Sequence, residues 1–231
     1  MTPDAGDDVW QSALVSDVAD QLLDLAGGDR FAWVRARSES HQASHGCGLH
    51  HAGGSVMHLV ASIARVAGAR RVLDLGSGLG YSTLWLADVV GAGGEVIGID
   101  EDGSHTAEAE QIALDAGMAG TVSFRTGRVV DVLPELTGTF DLIHDDAWFA
   151  AEPDHLEPML GLLRPGGVLT MANWFLLVDA LTGEPRNDWE RFAGPDWAAR
   201  TVEYAQRLAA RDELDVNWVT DPPVGIATKR S

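Results

Sequence analysis

Apolar positions along the chain fall into two recurring patterns, helical spacing and short continuous runs, and their order predicts the architecture. Trp10, Leu14, Val18, Leu22 and Leu25 recur at helical spacing, so residues 8–26 read as an amphipathic helix ended by Gly27-Gly28-Asp29. Residues 55–66 repeat the pattern and pass through Ala67-Gly68-Ala69 into an apolar run at 72–75. Further runs at 95–100, 122–127, 140–145 and 166–171 read as strands, separated by helical segments at 81–90, 104–118, 129–136 and 154–163. Trp197, Thr201, Tyr204 and Leu208 give one more helix, and 214–219 and 225–229, parted by Asp221-Pro222-Pro223, give a terminal β pair. Such alternation predicts a doubly wound α/β fold, a mostly parallel sheet with helices on both faces and ligands at the carboxyl ends of its strands.

Composition bounds the picture. With 231 residues, 45% of them hydrophobic, the chain suffices for a single domain. Residues 1–53 supply an N-terminal helix and a histidine-rich stretch, and 54–231 the cofactor-binding core. No apolar run approaches the about 18 residues of a membrane span, and acids stand where a signal peptide carries bases, so the expectation is a cytoplasmic protein with no membrane partner. Cys47 is the only cysteine, which rules out an intramolecular disulfide framework. Acidic residues outnumber Lys and Arg 35 to 16, for a formal charge of −19, and Lys229 is the only lysine. So negative a surface repels phosphate backbones and argues against nucleic-acid substrates.

The candidate chemistry centres on R-R-V-L-D-L-G-S-G-L-G-Y-S, where glycines at alternate positions, Gly76, Gly78 and Gly80, join the first strand to a helix. Such a turn admits positive φ and close approach of a ligand to the main chain, with unpaired N–H groups behind it. Glycine turns also serve purely structural ends. A dinucleotide site wants G-x-G-x-x-G; the spacing here is G-x-G-x-G, preceded by Asp74, whose carboxylate repels a pyrophosphate but suits a cofactor with an ammonium group, such as S-adenosylmethionine. Asp100, at the end of V-I-G-I-D about 20 residues on, suits a ribose diol, which both NAD and S-adenosylmethionine carry.

Residues 36–54 are polar and glycine-rich and hold four of the eight histidines. His41 and His45 have i, i+4 spacing, with Cys47, His50 and His51 close behind, which raises a metal site. The glycines and serines argue against a rigid helix, and no second ligand cluster follows, so the reading favoured is a mobile loop over the site.

The glycine motif, then V-I-G-I-D, F-D-L-I-H-D-D-A-W and L-L-R-P-G-G-V-L-T-M-A-N, resemble the class I S-adenosylmethionine-dependent O-methyltransferases, and within them the catechol and caffeoyl-CoA branch. The resemblance covers roughly residues 54–230. It implies a Rossmann-like sheet of seven strands, the last antiparallel, a small, aromatic methyl acceptor, and allows a homodimer. No N-P-P-Y-type sequence follows the fourth strand, against amino methylation of bases. Carried over residue by residue, Asp74, Gly76 and Gly78 would approach the methionine moiety, Ser82 its carboxylate, Asp100 the ribose, and Gly127 and Trp148 the adenine; Val129 stands where a polar adenine contact is common. The family's magnesium is held by an Asp after the fourth strand and an Asp-Asn pair after the fifth. Here Asp146 and Asn173 match, Ala172 replaces a ligand, and Phe149 stands in the place of a lysine base. Asp145 or Asp179 is a candidate to supply the missing oxygen. A metal-free site with His50 or His51 as base beside Asp146, and a fold that binds the cofactor without methyl transfer or with another reaction, stand as alternatives, with an NAD-dependent oxidoreductase behind them. His144, inside a strand, reads as a packed residue, and Trp174, Phe175, Leu176 and Leu177 as an acceptor wall or a buried strand end.

Overall fold

The structure, a computed structural model, describes residues 17–46, 51–147, 153–185 and 187–231. Helices α1 (Asp17–Leu25), α2 (Ala32–His45) and α3 (Gly54–Val66) precede strand β1 (Arg71–Leu75). Then come α4 (Tyr81–Val90), β2 (Glu95–Asp100), α5 (Gly103–Asp115), β3 (Val122–Thr126), α6 (Val129–Val132), β4 (Phe140–Asp145), α7 (Leu156–Leu162) and β5 (Leu163–Met171). Helices α8 (Phe175–Thr182), α9 (Trp189–Ala193) and α10 (Trp197–Ala209) lead to the hairpin β6 (Leu214–Thr220) and β7 (Pro223–Lys229).

The seven strands lie in the order β3-β2-β1-β4-β5-β7-β6, and β7 runs antiparallel to both of its neighbours. The expected doubly wound sheet with an antiparallel last strand is therefore the observed one. Strand order reverses between β1 and β4, which places the ligand crevice of such sheets at the carboxyl ends of those two strands.

Period-two alternation feeds two cores. Leu73 and Leu75 of β1 and Ile143 of β4 pack on one side with α7, α8 and α10, while Val72 and Leu142 face α3 and α4 on the other. Asp141 fixes the opposite edge: its carboxylate accepts the N–H groups of Arg70 and Arg71, each at 2.8 Å, and the Arg164 guanidinium at 2.6 Å. Lys229 donates Nζ to the carbonyls of Leu160 and Leu163 at 2.8 and 2.9 Å, closing the end of α7 where a cation complements the helix.

Two N-terminal expectations need correction. Residues 8–16 lie outside the described residues, and in α1 the expected apolar face is not the buried one: Leu22 and Leu25 stand in solvent while Leu23 packs inside, against Gly54. Residues 36–45, expected as part of a loop, belong to helix α2. The glycines of this stretch all fall after position 45, and Gly46 ends the helix at φ 61° with its N–H on the Gln42 carbonyl. Within the helix the hydroxyls of Ser38, Ser40 and Ser44 bond back to the carbonyls of Val34, Ala36 and Ser40, so the serines do not disrupt it.

Candidate active site

The site grows from the turn after β1. Gly76, Gly78 and Gly80 all have positive φ, at 79°, 50° and 87°. A Cβ on Gly76 would lie 2.9 Å from the backbone of Asp146 and Ala147, so glycine here is required twice, by conformation and by the close approach of the chain after β4. The Asp146 N–H donates to the Leu75 carbonyl at 2.9 Å, and Asn173 Nδ2 donates to the Asp146 carbonyl at 2.9 Å. The ends of β1, β4 and β5 are thus laced together at the switch point.

Asp74 is fully buried. Its Oδ2 accepts the hydroxyls of Ser82 at 2.8 Å and Thr83 at 2.5 Å, both in the first turn of α4. Burial pushes its carboxyl up, against the nearby His144 and the two hydroxyl donors. Asp100 accepts the Gly78 N–H on Oδ2 at 2.9 Å, and Gly127 donates its N–H to the Asp100 carbonyl at 2.9 Å. The expected cofactor residues thus fall into two hydrogen-bonded groups, Asp74 with Ser82 and Thr83, and Asp100 with Gly78 and Gly127, on either side of the glycine turn.

Asp146 faces this turn across a narrow crevice lined also by Gly76, Ser77, Leu79, Tyr81, Ser82, Ser38, His51 and Ala52. Although Asp146 as a residue is partly exposed, burial pushes its carboxyl well up, and the neighbouring charges of Asp74 and Asp145 push the same way. His51 donates Nδ1–H to the Ala52 carbonyl at 3.0 Å, while Nε2 lies 3.4 Å from Glu39 Oε1. His51 and Asp146, expected at the reacting end, thus share the crevice; His50 and Trp148 lie outside the described residues.

The oxygens proposed to repair the metal site are committed elsewhere. Asp145 is fully buried, accepting the Ala147 N–H at 3.1 Å and His155 Nε2–H at 2.9 Å, on the face opposite Asp74. Asp179 is buried in α8 and accepts the Trp189 indole N–H at 2.6 Å. Ala172 offers no oxygen beyond its backbone, and among the described residues no group of three His, Cys, Asp or Glu side chains could hold a metal ion. What remains of the expected ligand set among the described residues is one carboxylate, Asp146, and one amide, Asn173, whose Nδ2 is turned to the carbonyls of Asp146 and Ala147. The histidine pair of α2 is likewise engaged: His41 Nδ1 bonds Glu108 at 2.7 Å, and His45 stacks on His41 at 4.1 Å.

His144 is a packed residue. It is fully buried, bonded through Nδ1 to Thr170 at 3.0 Å, and held neutral by desolvation against the pull of Asp74 and Asp145. Trp174, Leu176 and Leu177 are core residues of the α8 region; Trp174 stacks edgewise on Trp218 at 4.3 Å, with its indole over Gly225. Sequence reasoning missed Ser77, Tyr81 and Ser38 as lining residues, and Thr83 and His105 as partners of the two key carboxylates. Ser77 and Tyr81 lie inside the glycine motif, whereas Ser38 carries no local signal.

A family described as a methyltransferase domain matches residues 68–190. The catechol O-methyltransferase of Niastella koreensis is 34% identical over 115 residues, 48% of this chain and 52% of that protein, so the match spans about half the length of that relative. A protein of Mycobacteroides abscessus named as a putative O-methyltransferase is 35% identical over 154 residues, 66% of this chain and 71% of its own. The O-methyltransferase TomG of Streptomyces achromogenes, involved in tomaymycin synthesis and solved with S-adenosylmethionine, superposes with a TM-score of 0.72 at 24% identity, covering 85% of this chain and 89% of that one. That last likeness is one of fold.

Proposed function

Because the chain belongs to the S-adenosylmethionine-dependent O-methyltransferases, we propose that it methylates a hydroxyl of a small aromatic molecule held between the glycine turn and Asp146. What carries the reading is the crevice in which Asp146 and His51 face the Gly76-Ser77 turn. Asp100 and the buried Asp74 and Asp146, whose carboxyls are pushed up by burial, gather around that turn, and a cationic ligand there would favour their ionised forms. S-adenosylmethionine supplies a methyl group on a sulfonium: the acceptor oxygen bonds to that carbon, the carbon–sulfur bond breaks, and sulfur leaves as a neutral thioether.

This chain's part is to align the acceptor and take its proton. Asp146 is the general base, and its raised pKa makes it a stronger one than an exposed aspartate. His51 lines the same crevice, with Nδ1–H committed to the Ala52 carbonyl and Nε2 turned to the Glu39 carboxylate, and is placed to orient the acceptor. Ser82 and Thr83 hold Asp74 in place at the cofactor's amino-acid end, and Asp100 receives the ribose. The acidic surface supports a small-molecule acceptor over nucleic acid, in the cytoplasm. No step runs through a metal.

The test is product detection by mass spectrometry on a panel of phenols and catechols with S-adenosylmethionine, in excess chelator and in magnesium. Methylated product in both conditions is expected. Ala172→Asp restores the acidic residue beside Asn173, and a magnesium-binding heat is expected in that variant and not in the wild type. Binding of S-adenosylhomocysteine without product on any acceptor would instead favour a cofactor-binding protein on the same fold.

A further inference from the structure

The Asp100 carboxylate is more heavily engaged than ribose recognition requires. Its Oδ1 accepts two donors, the Asp102 N–H at 3.0 Å and His105 Nδ1–H at 3.0 Å, while Oδ2 accepts the Gly78 N–H at 2.9 Å. A carboxylate has about four lone-pair sites, two on each oxygen. Oδ1 is therefore filled, and Oδ2 keeps a single site. The side chain is only 13% exposed, which leaves little freedom to turn the other oxygen outward.

His105 is itself held in place. It sits in the first turn of α5, 8% exposed at its side chain. The His41 ring of α2 packs against it edgewise at 5.2 Å, and His41 is fixed in turn by Glu108. With Nδ1–H on Asp100, its other nitrogen lies 3.7 Å from Asp102 Oδ2, beyond hydrogen-bonding distance.

We infer that His105 is a positioning residue that saturates one oxygen of Asp100, so that the carboxylate reads one hydroxyl of the cofactor's ribose through Oδ2 rather than clasping both. The inference rests on the cofactor reading above and adds to it a specificity. The two ribose hydroxyls count unequally, and the inequality is set by a side chain that does not touch the cofactor.

The experiment is calorimetric titration of the whole chain with S-adenosylhomocysteine and its 2′-deoxy and 3′-deoxy analogues. In the wild type one analogue should bind about tenfold or more weaker than the parent, as expected for loss of a hydrogen bond to a charged group, and the other within about threefold. His105→Phe keeps the ring volume but removes the donor, freeing a site on Oδ1; the gap between the analogues should close as the neglected hydroxyl gains a partner. His105→Asn, which returns an N–H near the position of Nδ1, should keep the gap. Should His105→Phe fail to fold by circular dichroism, His105→Leu removes the same donor with a smaller apolar side chain, and the same closing of the gap is expected. Equal losses for the two analogues in the wild type, no loss for either, or a wild-type gap that persists in a folded variant lacking the His105 donor would overturn the inference while leaving the cofactor reading intact. Absence of binding by the parent compound would overturn both.

Discussion

At the residue scale, the side chain that matters most is Asp146. The sequence showed it, as the residue after the fourth strand, but not its surroundings: burial first, and the charges of Asp74 and Asp145 after it, push its carboxyl well above the 3.8 of an unburied aspartate. Between 3.8 and the folded value the native state holds a proton that the unfolded state has lost, so stability falls as pH rises through that window. Asp146→Asn removes a carboxylate that is costly to ionise. At pH 8 it should raise stability in urea unfolding, because the native state no longer carries the cost of ionising that buried group. It should also lower kcat by about 10²- to 10⁴-fold, the contribution of a general base. The wild-type rate should climb with pH along a limb that lies above the ordinary aspartate range. A variant that is both less stable and fully active would mean that Asp146 is neither strained nor the base. The metal ligands were less legible, because Asp145 and Asp179 are acidic residues near the right positions in sequence, yet alternation along β4 turns Asp145 to the opposite face and Trp189 claims Asp179.

At the element scale, the strands were plain in the sequence because parallel strands buried on both faces read as continuous apolar runs. β2 at Glu95–Asp100 and β4 at Phe140–Asp145 fall where those runs do. Helix α2 was not legible. Averaging over 36–54 mixes a serine-bearing helix with the glycines that follow it, and its anchoring comes from a distant element: Arg37 Nε and His41 Nδ1 both bond Glu108 of α5, each at 2.7 Å. Partial burial pushes the Glu108 carboxyl up, but the hydrogen bonds and charges of Arg37 and His41 outweigh it and hold the group below the usual 4.5. A depressed carboxyl contributes its stability above the unfolded value, and loses it as pH falls through the folded one. Hydrogen exchange should therefore show α2 amides protected at neutral pH and opening only as pH falls below the 4.5 of an unpaired glutamate. Glu108→Gln should open them at neutral pH, by about 0.5–1.5 kcal/mol, the order of a partly exposed charged contact. Protection in β1 and β4 should not change. If α2 exchange is the same in the variant, the anchor lies elsewhere.

At the scale of the whole molecule, the seven-stranded sheet separates two apolar cores and brings the glycine turn, Asp100 and Asp146 together at one edge. Around it lies a surface of formal charge −19, whose self-repulsion works against the compact state. Raising salt from about 0.01 M to about 0.15 M shortens the screening length from roughly 30 to 8 Å. If repulsion of this size costs about 1 kcal/mol, the Tm should rise by about 2–4 °C over that interval, as scanning calorimetry would show. A falling Tm would mean that the surface ion pairs, such as Arg71 with Glu95, outweigh the repulsion. Methyl transfer at the crevice is put to the proof by a single-turnover experiment with methyl-labelled S-adenosylmethionine and a catechol. The expected result is label moving from cofactor to acceptor oxygen in the wild type, and slowing at least about a hundredfold in Asp146→Asn. Label that stays on a bound cofactor, or moves equally fast in the variant, would contradict a methyl transfer driven by Asp146.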